Sequence, residues 1–520
     1  MGAMRIGELL GRSARLHAEA PAVRDAGGEL SFADLERSVR RLAAQLAGLG
    51  VAPGERVGIL SRNRWEYVAL YFAVAERGAV AVPLNWRLRR GELGWILEDA
   101  QVSALFADRA SADELAGLEA STPALRAPVC LDDPPPGWLA LRTLPEAEAA
   151  PHAMNGGGDA EVAVQMYTSG TTGRPKGAML THGNVVAMLT SWLFDMPLTP
   201  ARDRFLQVTP LFHVGGLLMT VSTVAAGALL RLLPEFEPGA ALDALEREGI
   251  TQALFVPAMV QWMLSEPGLA ERRFPDLRLI VYGAAPMPPP LLERALQTFG
   301  CGFLQGYGLT ETAGVLTTLR PDDHRFEGDE PPRHLSSAGR EVLCSRVRVV
   351  DPEGREVAPG EVGEVVARGP NVSPGYWNRP EATAEALRDG WFHTGDLATV
   401  DERGYVYLVD RLKDMILVGG ENVYPREIEL ALEEHPAVFD IAVIGIPHET
   451  WGEEVLAVVA LAPGVEATAR ELIQHCRAHL ARYKCPTRVE FRDAVPRNSA
   501  GKLQKEELRR PYWEGRERRV

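Results

Sequence analysis

The stretch Tyr167-Thr168-Ser169-Gly170-Thr171-Thr172-Gly173-Arg174-Pro175-Lys176-Gly177 comes directly after the apolar run Val162 to Met166. Glycines let a backbone curl so that its N–H groups face one point in space. The hydroxyls of Thr168, Ser169, Thr171 and Thr172 add donors there, and Lys176 adds a positive charge. That combination suits a phosphate group. It is not the nucleoside-triphosphatase P-loop, because the G-x-x-x-x-G-K-[ST] spacing is absent. A flexible Ser/Gly linker is the plain alternative, and a Pro-Lys-Gly embedded just after a buried strand speaks against it.

Upstream of this stretch the sequence alternates between strand and helix patterns. Ser31-Phe32-Ala33-Asp34 resembles a capping box with Asp in place of Glu, and Leu35, Val39, Leu42, Leu46 and Leu49 follow at helical spacing. Pro53-Gly54 turns into the apolar run Val57 to Leu60, and a helical pattern from Trp65 leads to the run Ala79 to Val82. This order predicts an α/β fold with a mainly parallel sheet in a large, multi-layered N-terminal domain. Near residue 410 the pattern changes. The helix, strand and helix patterns at Pro425 to Glu434, Val438 to Ile446 and Ala467 to Leu480 predict a small α+β domain. The expected division is 1–410, a hinge at 411–413, and 414–520.

The chain has 520 residues and a formal charge of −15, which argues against nucleic acid as a partner, since backbone binding relies on clustered Lys and Arg. A local cationic cleft for a nucleotide remains compatible with that charge. Cys130, Cys301, Cys344, Cys476 and Cys485 are scattered with no C-x-x-C pair, so a reducing cytoplasm is expected and neither disulfides nor zinc are signalled. Phe205 to Leu230 carries no Asp, Glu, Lys or Arg, but Pro210, His213 and Gly215-Gly216 interrupt it. A buried strand, turn and helix is expected there, and no integral membrane association. The closing basic segment Arg509 to Arg519 reads as a solvated tail.

Further blocks complete the pattern: Pro210-Leu211-Phe212-His213-Val214-Gly215-Gly216, Tyr282-Gly283-Ala284-Ala285-Pro286, Gly306-Tyr307-Gly308-Leu309-Thr310-Glu311-Thr312, Thr394-Gly395-Asp396, Asp410-Arg411-Leu412-Lys413-Asp414 and Pro496-Arg497-Asn498-Ser499-Ala500-Gly501-Lys502. With the phosphate loop, and in this order over nearly the whole chain, they resemble the adenylate-forming superfamily of acyl- and aryl-CoA synthetases, beetle luciferases and peptide-synthetase adenylation domains. The resemblance implies that a carboxylic acid is activated by ATP as an acyl-adenylate and passed to a thiol, coenzyme A first. ATP and CoA would be co-substrates and Mg2+ the cofactor.

The resemblance also implies roles. Thr168, Ser169, Gly170, Thr171, Thr172, Gly173 and Lys176 would cradle phosphates. Glu311 would hold magnesium, whose preference is for hard oxygen donors. Thr310 would reach the α-phosphate, and Tyr307, between Gly306 and Gly308, would sandwich adenine against Gly283, Ala284 and Ala285. Asp396 would accept from the ribose hydroxyls and Arg411 would reach ribose or phosphate. Lys502 would bridge the acid and the α-phosphate, Lys413 would be the pivot, and His213, Val214, Gly215, Gly419, Gly420 and Glu421 would border the acyl and pantetheine channel. Each has a plainer reading: a turn glutamate for Glu311, an Asx-turn for Asp396, a solvated lysine for Lys502, a packed core histidine for His213, and a rigid turn for Asp410 to Asp414.

Alternatives within the enzyme class are an aryl-CoA ligase and an adenylation enzyme loading a carrier protein; outside it stands a nucleotide-binding sensor, which the presence of both Glu311 and Lys502 disfavours. The uncharged segment Leu217 to Leu230 disfavours a dicarboxylic acid. Gly215 stands where aryl ligases often carry an aromatic residue, which leans toward a medium- or long-chain fatty acid. A homodimer is compatible with the sequence.

Overall fold

The computed structural model describes residues 4–115, 117, 122–144, 158–168, 174–325, 332–497 and 503–514. The chain forms two compact units: residues 1–347 with 367–392, and residues 348–366 with 393–520.

In the larger unit, Ser31 caps helix Phe32–Gly48 by accepting from the Asp34 N–H, while the Asp34 carboxylate accepts from the Ser31 N–H, as the capping-box reading expects. Leu35, Val39, Leu42 and Leu46 of that helix are buried, and it packs on helix Trp65–Glu76. The latter helix is apolar nearly all round, because it is buried nearly all round. Two sheets carry this unit. One has seven strands in the order Leu139–Ala140, Ala127–Cys130, Val102–Ala107, Arg56–Leu60, Val80–Pro83, Val162–Thr168 and Lys176–Thr181, parallel up to its last, antiparallel pair. The other has nine, with parallel strands from Gly302–Tyr307 through Leu279–Gly283, Gln252–Phe255, Arg204–Gln207 and Leu229–Leu232 to Pro21–Asp25, and antiparallel strands at both edges. Parallel pairs need crossover helices, so both faces are covered and the strands read as apolar runs.

The uncharged stretch from Phe205 to Leu230 lies in strand Arg204–Gln207, helix Val214–Ala226 and the start of strand Leu229–Leu232, all largely buried. No helix among the described residues is long and apolar enough to cross a membrane.

The smaller unit holds strand Val406–Arg411 paired antiparallel with Trp391–Val400, and a five-stranded sheet built on the long pair Val438–His448 and Gly452–Leu461. Side chains alternate across a strand. Ile441 and Val443 therefore face Ile428 and Leu432 of helix Pro425–Glu433 and Leu472 and Cys476 of helix Ala469–His479, while Ala442, Ile444 and Ile446 face Leu508. The fold is thus mixed α/β, with parallel sheets in the larger N-terminal unit and a smaller C-terminal unit.

The solvated-tail reading of the C-terminus fails for residues 509–513. Lys505–Trp513 is a helix in which Leu508 is buried. Arg509 pairs with Asp414, Tyr512 Oη donates to Glu490 at 2.5 Å, and Trp513 Nε1 donates to the Gly445 carbonyl at 3.0 Å. A basic composition hid an anchored helix whose acidic partners lie far off in sequence.

Candidate active site

The phosphate-loop sequence begins and ends in two antiparallel strands. Strands Val162–Thr168 and Lys176–Thr181 pair so that Thr168 lies opposite Lys176 and Tyr167 opposite Gly177. Ser169, Gly170, Thr171, Thr172 and Gly173 fall outside the described residues. Tyr167 is an anchor: its hydroxyl donates to Asp99 Oδ2 at 2.7 Å.

Glu311 lies in the single turn Thr310–Thr312, directly after strand Gly302–Tyr307. The turn is tight at Gly308, where an added Cβ would sit 2.5 Å from the Gly314 carbonyl oxygen, so only glycine fits. Thr312 Oγ1 closes the turn by accepting from the Leu309 N–H at 3.0 Å. The Glu311 side chain is buried, and its Oε1 accepts from Tyr376 Oη at 2.9 Å and Thr168 Oγ1 at 3.3 Å. Lys176 Nζ stands 5.5 Å from the centre of the Tyr376 ring. Among the described residues Glu311 makes no ion pair, so a buried carboxylate sits beside hydroxyls and near a lysine with its second oxygen unclaimed by a cation.

Tyr376 is a site residue that sequence reasoning missed. Burial and then the adjacent Glu311 charge push its hydroxyl pKa upward, so it stays a donor. Its segment is laced to the site by backbone: the Ser373 N–H donates to the Glu311 carbonyl at 2.7 Å, the Trp377 N–H to the Gly177 carbonyl at 2.8 Å, and Asn371 Nδ2 to the Thr312 carbonyl at 3.1 Å. The link spans 65 positions, and the local sequence Pro374-Gly375-Tyr376 reads as an ordinary turn.

Gly283 and Gly306 are register partners at the C-terminal ends of adjacent parallel strands. A Cβ on Gly283 would lie 2.4 Å from the Gly306 carbonyl oxygen, which keeps this edge flat. Ala284 holds a left-handed φ of 65° just beyond it, a strained conformation for a non-glycine residue, and Tyr307 follows on the neighbouring strand. The crevice outside the carboxyl ends of parallel strands is where α/β sheets take ligands.

His213 precedes helix Val214–Ala226 and stacks beside Phe212 with ring centres 4.5 Å apart. Burial first, and the Arg87 charge second, lower its pKa to about 4, so it is neutral at physiological pH. Asn63 fixes the turn before it: Oδ1 accepts from the Leu211 N–H at 2.9 Å, and Nδ2 donates to the carbonyls of Thr209 and Leu233. Apolar side chains neighbour the glycines of this region: a Cβ added to Gly215 would meet Leu254 at 3.5 Å, one on Gly314 would meet Leu218 at 3.3 Å and Val214 at 3.7 Å, and one on Gly306 would meet the Trp192 ring and Val315 at 3.6 Å.

In the smaller unit, Asp396 and Arg411 face each other across an antiparallel pair and form an ion pair at 3.0 Å. Thr394 Oγ1 accepts from the Asp396 N–H and donates to the Val365 carbonyl, fixing the turn. Lys413 lies in the turn Leu412–Asp414, where burial lowers its pKa, and its carbonyl accepts from Arg509 at 3.1 Å. Gly419 and Gly420, both at positive φ, form the tight turn between strands Ile416–Val418 and Glu421–Val423. Lys502 lies outside the described residues, while its neighbours Arg497 and Leu503 form an antiparallel bridge.

The profile of AMP-binding enzymes matches residues 10–377, and that of the AMP-binding enzyme C-terminal domain matches residues 427–502. The chain belongs to the AMP-binding enzyme family. This AMP-binding enzyme is 43% identical over 507 residues to a feruloyl-CoA synthase of an Amycolatopsis species, covering 96% of this chain and 98% of the relative. It is 37% identical over 490 residues to a long-chain-fatty-acid–CoA ligase of Mycobacterium tuberculosis, covering 93% of each. Its structure is similar to that of o-succinylbenzoate-CoA synthetase from Bacillus subtilis in complex with its acyl-adenylate intermediate, with a TM-score of 0.85 at 32% identity over 96% of this chain and 97% of the other. The chain is therefore an adenylate-forming ligase of the acid–thiol class.

Proposed function

We propose that this enzyme activates a compact, hydrophobic carboxylic acid, an arylpropenoic acid first among them, and transfers it to coenzyme A. In the first half-reaction a carboxylate oxygen attacks the α-phosphorus of ATP and pyrophosphate leaves. In the second the CoA sulfur attacks the acyl carbon and AMP leaves. The observation that carries this reading is the buried Glu311 carboxylate, which accepts from Thr168 and Tyr376 and makes no ion pair among the described residues.

That arrangement fits a divalent ion. A hard oxygen donor, held on one oxygen by two hydroxyls, leaves the other for a metal that prefers a carboxylate plus phosphates. Magnesium held there would neutralise charge on the triphosphate. Lys176, the register partner of Thr168, would meet a phosphate, and Thr310, beside Glu311, would donate to it. Tyr307 and the Gly283 to Ala285 edge supply an aromatic face and a flat backbone for a purine. A neutral His213 can orient the acid by hydrogen bonding and brings no added charge to the channel. Asp396, Arg411, Lys502 and the Lys413 pivot keep the roles that the superfamily resemblance implies, with 411–413 as the proposed hinge between 1–410 and 414–520. Free cysteines throughout suit a reducing compartment such as the cytoplasm.

The acid is read from the walls near His213. Val214, Leu218, Leu254, Val315 and Trp192 stand beside Gly215, Gly306 and Gly314, apolar surroundings in which a second carboxylate would be stranded without a partner. Leu254 bounds the space beside Gly215, where an added Cβ would touch it at 3.5 Å, and the feruloyl-CoA synthase likeness favours a flat, short acid. A medium-chain fatty acid is the second reading, supported by the all-apolar walls and the mycobacterial relative. The test is mass spectrometry of products from a panel of hydroxycinnamic, benzoic and C6 to C16 acids with ATP, magnesium, and either CoA or a phosphopantetheinyl carrier protein. Higher kcat/KM for hydroxycinnamates with CoA is expected. A preference for C12 to C16 acids overturns the aryl reading, transfer only to the carrier overturns the acceptor, and no pyrophosphate from any acid overturns the activity.

A further inference from the structure

We infer that the smaller unit carries a surface site for a first-row transition metal, formed by Glu434, His475 and His479. One ligand atom from each of these residues lies within 4.8 Å of the others, and all three are at least partly accessible. His475 and His479 are spaced i and i+4 on helix Ala469–His479, which puts them on one face. Glu434 ends the neighbouring helix Pro425–Glu433.

The hydrogen bonds prepare the histidines for this. His475 Nε2 lies 2.9 Å from the Ala431 carbonyl oxygen, and His479 Nδ1 lies 2.9 Å from the His475 carbonyl oxygen. A carbonyl can only accept, so each of these nitrogens carries the proton and the opposite nitrogen of each ring presents a lone pair. This is the outer-shell support that metal-bound histidines have: one nitrogen tied to a backbone carbonyl, the other free to ligate. The rings are 4.6 Å apart between centres. His435, whose ring stands 5.1 Å from that of His475, is engaged differently, because its Nδ1 accepts from the Ala437 N–H. It packs against the site without joining it.

Two imidazoles and a carboxylate suit Zn2+, Ni2+ or Cu2+ far better than Mg2+. The site belongs to the smaller unit and lies on the face of its sheet opposite helix Lys505–Trp513. A bound ion would clip helix Pro425–Glu433 to helix Ala469–His479 and stiffen the smaller unit.

The test uses the untagged full-length enzyme, stripped with chelator, and Zn2+ and Ni2+ as probes in isothermal titration. One equivalent should bind with a Kd in the micromolar range or below, and the melting temperature of the smaller unit should rise with metal. His475→Gln and His479→Gln should each weaken binding at least about 10-fold, and Glu434→Gln by a smaller factor. Because Glu434 is exposed, that variant folds even if a histidine variant does not. Binding weaker than millimolar overturns the inference, and so does tight binding that all three substitutions leave unchanged, which would place the metal elsewhere.

Discussion

Removing one hydroxyl, with Tyr376→Phe, tests the proposed metal-holding geometry most directly. The phenol donates to the buried Glu311 Oε1 at 2.9 Å, and the substitution keeps the ring beneath which Lys176 stands. A hydrogen bond to a charged group contributes about 1.5–3 kcal/mol. Thr168 still donates to the same oxygen at 3.3 Å, so the lower half of that range applies here. About 1.5–2 kcal/mol corresponds to roughly a 10- to 30-fold loss, at about 1.4 kcal/mol per decade. The loss should appear in acid- and ATP-dependent pyrophosphate release, with a matching rise in the magnesium concentration for half-maximal rate, because outer-shell partners commonly change metal affinity by about 10- to 100-fold. Conversion of a supplied acyl-adenylate to thioester should be nearly untouched. Pyrophosphate release within threefold of the parent enzyme at both limiting and saturating magnesium would refute the reasoning, and equal loss of both half-reactions would show that the substitution disturbed more than Glu311.

Lys502→Ala is expected to slow adenylate formation at least about 100-fold while supplied acyl-adenylate still reacts with CoA; equal loss of both steps removes the assigned role. Lys413→Pro should spare adenylation and slow thioester formation, measured by the same pair of assays, because proline fixes φ at the proposed pivot. Arg509→Ala removes one of the three cations around the largely buried Asp414 carboxylate, Lys505 and Lys413 remaining, and should destabilise the smaller unit by about 1.5–3 kcal/mol in denaturant unfolding, an unchanged midpoint contradicting the anchored-helix description. His213 has a folded pKa near 4, below its unfolded value, so the stability it contributes is present above about pH 6.5 and falls away as pH drops toward 4. It should add no limb near pH 6.5 to the rate profile. A limb there that disappears in His213→Gln would overturn its role as a neutral orienter.

The parts of this enzyme that could be read from sequence are those fixed by local pattern. The Ser31 to Asp34 capping box, the period of helix Phe32–Gly48 and the apolar runs that became strands all depend on neighbours within a few residues. So does the strand, turn and helix from residue 204 to 226, where Pro210 and the paired glycines interrupt what could pass for a membrane span. What escaped was long-range pairing. Tyr376 meets Glu311, and Arg509 meets Asp414, only because tertiary structure brings them together, and no spacing rule signals such pairs.

The charges around the candidate site fit together once His213 and Glu311 are compared. An acid approaching a triphosphate brings like charges together, and repulsion at such distances is severe where water is excluded. A protonated histidine beside the acid would ease the approach but would hold the carboxylate as an ion pair and lower its nucleophilicity. In the proposed reaction burial prevents that by keeping His213 neutral, while the neutralising charge at the phosphates would come from Lys176 and from magnesium held on Glu311. Catalysis gains only from interactions that strengthen in the transition state. Cations at the phosphates, a proposed Lys502 shared between acid and α-phosphate, and a neutral His213 at the acid would meet that requirement, because the charge that grows during attack grows on the phosphate oxygens.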